Sequence, residues 1–242
     1  MSILCCPARL EARKEVALQV IVVASRKGGC GKTSIAAHIA VEAERCGDGP
    51  VATVDADPMA GLTGWYDARK SDTPLCVEPS ALQTPGLNAA LDSLRASQVN
   101  LVIIDTPPSA SNDVGRIIAA ADLVLVPVIP SPNDLRAVGE TLDLVDSVGK
   151  PILFVINNAA TNAKLTNQAL TILSQHGTVA AVDDQPVIIR TRTDFRSAMT
   201  DGRTAQEIKS NSKSAEEIAA LWMAIKARME REKKRGRATS AA

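Results

Sequence analysis

Between an aliphatic run at 19–24 and an amphipathic stretch that starts at Lys32, the chain reads RKGGCGKTS (residues 26–34). A glycine-rich turn between a β-branched strand and a helix commits this part of the chain to a strand–loop–helix unit. Gly28, Gly29 and Gly31 let the backbone curl until successive N–H groups face one point, and the helix amino terminus adds its partial positive charge. A loop of this kind holds a polyphosphate. Lys32 reaches the β- and γ-phosphates, the Thr33 hydroxyl ligates Mg2+, and Cys30 and Ser34 complete the same segment. The common pattern G-x-x-x-x-G-K-[ST] has glycine at the position of Arg26, and Lys27 next to it is a second lysine. Those two cations need a separate explanation.

Short aliphatic runs recur at 51–54, 101–104, 123–128, 152–156 and 187–189. Helical patterns lie between and after them, at 32–46, 87–97, 112–120, 134–148, 164–176, 195–201 and 214–232. This alternation predicts an α/β fold: one doubly wound domain, a mostly parallel sheet with helices on both faces. Of the 242 residues 45% are hydrophobic but only 2% aromatic, so aliphatic side chains must fill the core, as suits strands buried on both faces. Loops at the carboxyl ends of such strands carry the working residues. Two more motifs fall there. Asp55-Ala56-Asp57-Pro58 follows one run and Asp105-Thr106-Pro107-Pro108 another. An aspartate closing a strand beside a phosphate loop holds Mg2+ directly or through water, the role read for Asp105; alone, such an aspartate is as often a turn or cap residue. Asp57, ending a further strand, is placed to face the γ-phosphate and position an attacking water.

Together KGGCGKT, DADPMAGLTGW and VIIDTPP resemble the ParA/MinD group of deviant-Walker-A P-loop ATPases, and among them the small ParA-type partition ATPases. The likeness continues through VPVIPSPNDLRAV, FVINNA and IIRTRTDFRSAMTDGRTAQE and spans roughly 19–225. It implies that Lys27 contacts the phosphates of the nucleotide in the other subunit, while Lys32 acts within its own. Two ATP molecules facing each other across an interface repel strongly, and a lysine from each side offsets that charge. The resemblance further implies catalytic roles for Lys27, Lys32 and Asp57, Mg2+ at Thr33 and through water at Asp105, and adenine recognition at Asn157 and Asn158, although Asn at a strand end is also a common turn residue. Arg26 is read as a solvated flank. Pro127, Pro130 and Pro132 shape a wall near the nucleotide or simply end a strand. The chain departs from the family at Met59, where Gln is usual, and in the segment 1–18.

The expected organisation is an extension at 1–18, an ATPase domain at 19–228 and a basic, frayed tail at 229–242. Net charge is zero, but residues 226–237 hold seven cations against two carboxylates, a local charge of +5. Arg231, Lys233, Lys234 and Arg235 are the expected contacts to DNA, with Arg190, Arg192 and Arg196 next, and a solvated helix end is the alternative. Five cysteines without paired spacing read as reduced thiols in a cytoplasm, and the resemblance implies a nucleoid-associated protein. Cys30 at a helix amino terminus is a candidate for redox control, or a small tolerated side chain. The expected function is that of an ATPase that forms a homodimer with ATP, binds double-stranded DNA without sequence preference, and is stimulated by a ParB-like or other adaptor protein. The alternative is a MinD-like membrane-surface ATPase, which needs an apolar amphipathic tip. Ile218, Leu221, Trp222, Ile225 and Met229 form an apolar stripe, read as the docked face of a helix, and no membrane contact is expected.

Overall fold

The computed structural model describes residues 17–77, 86–109, 111–160 and 163–240. The segment 1–16, with Cys5 and Cys6 and most of the expected extension, lies outside the described residues. Five central strands carry the fold: β1 (Gln19–Val23), β2 (Val51–Asp55), β4 (Leu101–Asp105), β5 (Leu123–Val128) and β6 (Ile152–Ala159). The short strands β3 (Leu75–Val77), β7 (Thr178–Val179) and β10 (Ile188–Arg190) add to the edges. The order is β10-β6-β5-β1-β4-β2-β3, with β7 also on β6, and every pairing in this sheet is parallel. This is the doubly wound sheet expected from the alternation. A small antiparallel hairpin, β8 (Ala181–Val182) and β9 (Gln185–Pro186), stands apart from it.

Strand pleating sorts the aliphatic side chains. Ile21 and Val23, Leu101 and Ile103, and Leu123 and Leu125 face one core with α1 (Lys32–Arg45) and α9 (Lys213–Ser240). Val20 and Val22, Val102 and Ile104, and Val124 and Val126 face the other, with α3 (Gly86–Ala96), α4 (Asn112–Ala119), α5 (Pro132–Ser147) and α6 (Ala163–His176). Each fully buried Ile, Leu or Val contributes about 1.5–3 kcal/mol, so the two aliphatic layers hold the sheet with few aromatic rings.

The expected stripe on α9 is buried in the first core, with Ile218, Leu221 and Ile225 fully covered. Trp222 Nε1 donates to Asp48 at 2.8 Å and Lys226 pairs with the same carboxylate at 2.9 Å. The expected frayed tail is corrected: α9 runs on without interruption to Ser240. Residues 226–235 are mostly Lys, Arg, Glu, Met and Ala, all good helix formers, and Arg228 pairs with Glu232 one turn on at 3.0 Å. Among the described residues, no helix is long and apolar enough to cross a membrane.

Three further helices are short: α2 (Gly61–Asp67), α7 (Thr193–Ala198) and α8 (Ala205–Ile208). α2 follows the carboxyl end of β2 and α7 that of β10, while α8 packs beside α1 through His38 and Arg45.

Candidate functional site

The loop between β1 and α1 curls as its glycines require. Gly29 and Gly31 have φ of 76° and 91°, a region closed to most side chains. A Cβ at Gly31 would also collide with the side-chain amide of Asn157. That amide donates to the Cys30 carbonyl at 2.7 Å and ties the loop to the end of β6. Lys32 is buried, and its Nζ lies 3.5 Å from the Lys27 carbonyl, so its charge turns back under the loop. Lys27 is half-buried; its backbone N–H donates to Ser25 Oγ at 3.3 Å, and among the contacts described its side chain makes none. Arg26 is exposed as expected and pairs with Glu140 at 2.9 Å.

Strand register brings the carboxylates together. Asp105 is the register partner of Val23 on β1 and of Asp55 on β2. The Thr33 hydroxyl donates to Asp105 Oδ2 at 2.5 Å. Asp105 is fully buried, and Oδ1 is the atom without a partner. Burial pushes this carboxyl up to about 7; the Thr33 hydrogen bond opposes the rise, and the Asp55 charge adds to it. A buried carboxylate with a spare oxygen beside a Thr hydroxyl fits a hydrated divalent cation. Among the described residues no group of three or more His, Cys, Asp or Glu has metal-binding geometry.

Asp57 lies on the turn between β2 and α2, half-buried, with Oδ1 accepting from the Met59 N–H at 3.0 Å. Met59 itself is 85% exposed. The neighbouring Asp55, to which the sequence pattern assigns no role, holds the turn. Its Oδ1 accepts from the Asp57 N–H at 3.0 Å and its Oδ2 from the Thr63 N–H at 2.8 Å.

Gly29, Gly31, Ser34, Asn157 and Asn158 line a cleft of about 380 Å3, closed on its far side by Arg190, Arg192, Phe195, Arg196 and Met199. The structure thus brings the loop and both asparagines together. Asn157 is buried and committed to the loop carbonyl, whereas Asn158 is exposed, with φ of 49°, and receives a hydrogen bond from Thr191 at 2.9 Å. Arg192 pairs with Glu217 at 2.6 Å. Of the two readings of Cys30, its burial favours the small tolerated side chain. Its side chain is 1% exposed, and burial pushes the thiol up despite the Ser25 hydrogen bond and the Lys32 charge.

His38, one turn along α1 from Ser34, also had no expected role. It is fully buried, its Nδ1 lies 2.7 Å from the Ser34 carbonyl and its Nε2 accepts from the Ala205 N–H at 3.1 Å. This pair of contacts requires the neutral ring, and burial lowers its pKa to about 4.

Two expected groups lie elsewhere. Pro130 and Pro132 line an apolar groove of about 970 Å3 between α5 and α6 rather than the phosphate loop. Pro127 lies within β5, opposite Val155 of β6. Arg231, Lys233, Lys234 and Arg235 are exposed on the last turns of α9. Lys233 borders a cavity with Gln19, Asn100 and Leu101, at the amino ends of β1 and β4. The phosphate loop is at the opposite end of the sheet.

Residues 21–205 match the family model of the CobQ/CobB/MinD/ParA nucleotide binding domain. Maintenance of carboxysome distribution protein A of Halothiobacillus neapolitanus is 29% identical over 205 residues, 81% of this chain and 90% of that protein. Protein ParA of Rhizobium radiobacter is 34% identical over 130 residues, 53% of this chain and 56% of that protein. The cell division ATPase MinD of Pyrococcus furiosus superposes with a TM-score of 0.69 at 19% identity, covering 86% of this chain and 98% of the other. The family model covers well over half of the chain, and the chain belongs to the CobQ/CobB/MinD/ParA nucleotide-binding family.

Proposed function

We propose that the protein is a Mg2+-dependent ATPase that dimerises with ATP and positions DNA or another cargo in the cell. The observation that carries this reading is the convergence of Lys32, Thr33 and Asp105 under one glycine loop, with Asp57 on the neighbouring turn and Lys27 beside the loop. Lys32 neutralises the phosphates of the nucleotide in its own subunit. Thr33 and Asp105 hold Mg2+, which offsets phosphate charge when bound. Asp57, fixed by its backbone N–H on Asp55, orients the attacking water. Lys27 has a side chain spare for a second nucleotide, and its proposed partner is the triphosphate of the facing subunit. Asn158, free of the loop contact that occupies Asn157, is the better adenine reader of the two.

The homodimer would bind double-stranded DNA through Arg231, Lys233, Lys234 and Arg235. These lie at the far end of the sheet from the nucleotide. ATP therefore controls DNA binding through avidity, by joining two clusters in one dimer, and not through local rearrangement. A ParB-like or adaptor protein would stimulate hydrolysis and end the cycle. Similarity to proteins named for ParA and for carboxysome distribution supports a cargo-positioning role in the cytoplasm, on the nucleoid. The apolar stripe of α9 is buried in the core, which favours the DNA reading over the membrane-surface one.

The experiment is Asp57→Ala. This variant should bind ATP and dimerise but hydrolyse at least about a hundredfold more slowly, because it loses water positioning and no phosphate contact. Turnover at the normal rate would place the water-orienting group elsewhere.

A further inference from the structure

Asp57 sits on a turn, yet orienting water demands a fixed carboxylate. The turn is continuous with α2, a seven-residue helix about 10 Å long. Asp55 grips both ends of the turn, through the N–H groups of Asp57 and Thr63. The other end of α2 is held by an arginine. Arg69 is 2% exposed at its side chain, stacks 4.6 Å from the centre of the Trp65 ring, and forms a two-point pair with Glu207 at 3.0 and 2.9 Å. The same guanidinium donates to the carbonyls of Gly202 at 2.6 Å and Thr73 at 2.7 Å. Trp65 Nε1 donates to the Arg203 carbonyl at 3.1 Å. Gly202, at φ 74°, lies so close that a Cβ there would collide with the backbone of Arg69.

Glu207 is in turn part of α8. It accepts from the Thr204 N–H and hydroxyl, both at 2.8 Å, and so caps the helix. Burial alone would raise its pKa, but the hydrogen bonds from Arg69 and Thr204 outweigh that and keep it low. Next to it, Ala205 donates to His38, Gln206 donates to the His38 carbonyl at 2.8 Å, and Arg45 donates to the Gln206 carbonyl at 2.8 Å. These contacts fasten α8 to α1, whose apolar face is locked in the core.

We infer that Arg69 is a positioning residue for hydrolysis: it fixes the Asp57 turn, through α2, to an anchor formed by Glu207 and α8. This rests on the proposed role of Asp57. Because α1 and the phosphate loop are held by the sheet, the sheet-side core and Asn157, loss of Arg69 loosens α2, leaves the Asp57 turn to Asp55 and the buried Leu62 and Trp65, and keeps the nucleotide contacts in place. Loss of Arg69 therefore slows catalysis and spares binding, whereas loss of a purely structural residue would weaken both.

The test uses the full chain with Arg69→Gln and Glu207→Gln, and Asp57→Ala beside them. Arg69→Gln should lower kcat about tenfold or more, as misplacing a catalytic group by an ångström can cost a hundredfold. Its KM and directly titrated affinity for ATP should stay within about twofold of the parent, since no phosphate contact is touched. Amide hydrogen exchange should rise at residues 57–64 and stay unchanged at 28–36. Glu207→Gln, which keeps a hydrogen-bonding side chain, should show the same pattern more weakly, and it decides the matter by the same criteria if Arg69→Gln does not fold. A folded variant with normal kcat, beside an inactive Asp57→Ala, overturns the positioning role and leaves the reading of Asp57 intact. Normal hydrolysis by Asp57→Ala overturns both. Parallel losses of kcat and ATP affinity also overturn it, by reducing Arg69 to general support.

Discussion

Thr33, at the start of α1, donates its hydroxyl at 2.5 Å to Asp105, at the end of β4, and leaves the other oxygen of that buried carboxylate unused. Two motifs 72 positions apart in the chain thus meet at one point. Asp105→Asn retains an acceptor for Thr33 but loses the charge. Affinity for Mg2+ in the presence of nucleotide should fall about 10–100-fold, the usual cost of changing a residue that orients a metal's surroundings. Nucleotide affinity measured in a chelator should change little. Asp105 has the opposite effect on the empty protein. Its carboxyl titrates at about 7 in the fold against an ordinary 3.8, so the fold holds a proton that the unfolded chain has lost, and stability falls as pH rises between these values. Asp105→Asn should therefore raise the melting temperature of the nucleotide-free protein at pH 8. Equal Mg2+ dependence in variant and parent would remove Asp105 from the metal site.

His38 gives a slope of the other sign. Its ring titrates at about 4 in the fold and ordinarily at 6.5. Above pH 6.5 neither state binds the proton and the stability is complete. As pH falls from 6.5 towards 4 the unfolded chain takes up a proton that the fold excludes, and stability is lost, by roughly 3 kcal/mol at most. His38→Gln should flatten the difference in unfolding free energy between pH 6.5 and 4, measured by denaturant titration at each pH. Identical pH profiles would show that the ring is not held neutral.

The basic end of α9 predicts a salt-dependent interaction. Arg231, Lys233, Lys234 and Arg235 changed together to Ala should weaken binding to unrelated duplexes alike and leave ATP-dependent dimerisation intact. The log–log salt slope should become shallower by about 0.9 for each DNA phosphate that is no longer neutralised. Fluorescence anisotropy across a salt series reads both quantities. An unchanged affinity and slope would move the DNA surface to Arg190, Arg192 and Arg196, on the rim of the cleft.

The sheet and most helices were legible because long aliphatic runs and amphipathic periods survive in the sequence. What was missed is short. The stretch that becomes α2, GLTGWYD, contains two glycines and is too brief for a period to show. The four residues of α8 form no periodic pattern, although the spacing Thr204-x-x-Glu207 carries a capping-box signal. Asp55 was masked by Asp57: both fall at the end of the same aliphatic run, and only hydrogen bonding separates the residue that holds the turn from the half-buried one carried on it. His38 reads as one apolar-face histidine among aliphatic neighbours, and its partner lies 167 residues away. The helical tail was misjudged because a charged run lacks a core face, while its helix propensity is high.

In the proposed cycle, ATP joins two subunits through Lys27. Its side chain stands beside the loop with no polar contact among those described, whereas Lys32 is buried beneath it. Light scattering with attached size-exclusion chromatography, with and without ATP and Mg2+, measures this directly, best in the Asp57→Ala background so that the nucleotide persists. The Asp57→Ala protein should shift from monomer to dimer on adding ATP, and Lys27→Ala in the same background should bind ATP yet remain a monomer. A Lys27→Ala protein that dimerises with ATP as fully as its parent would contradict the account.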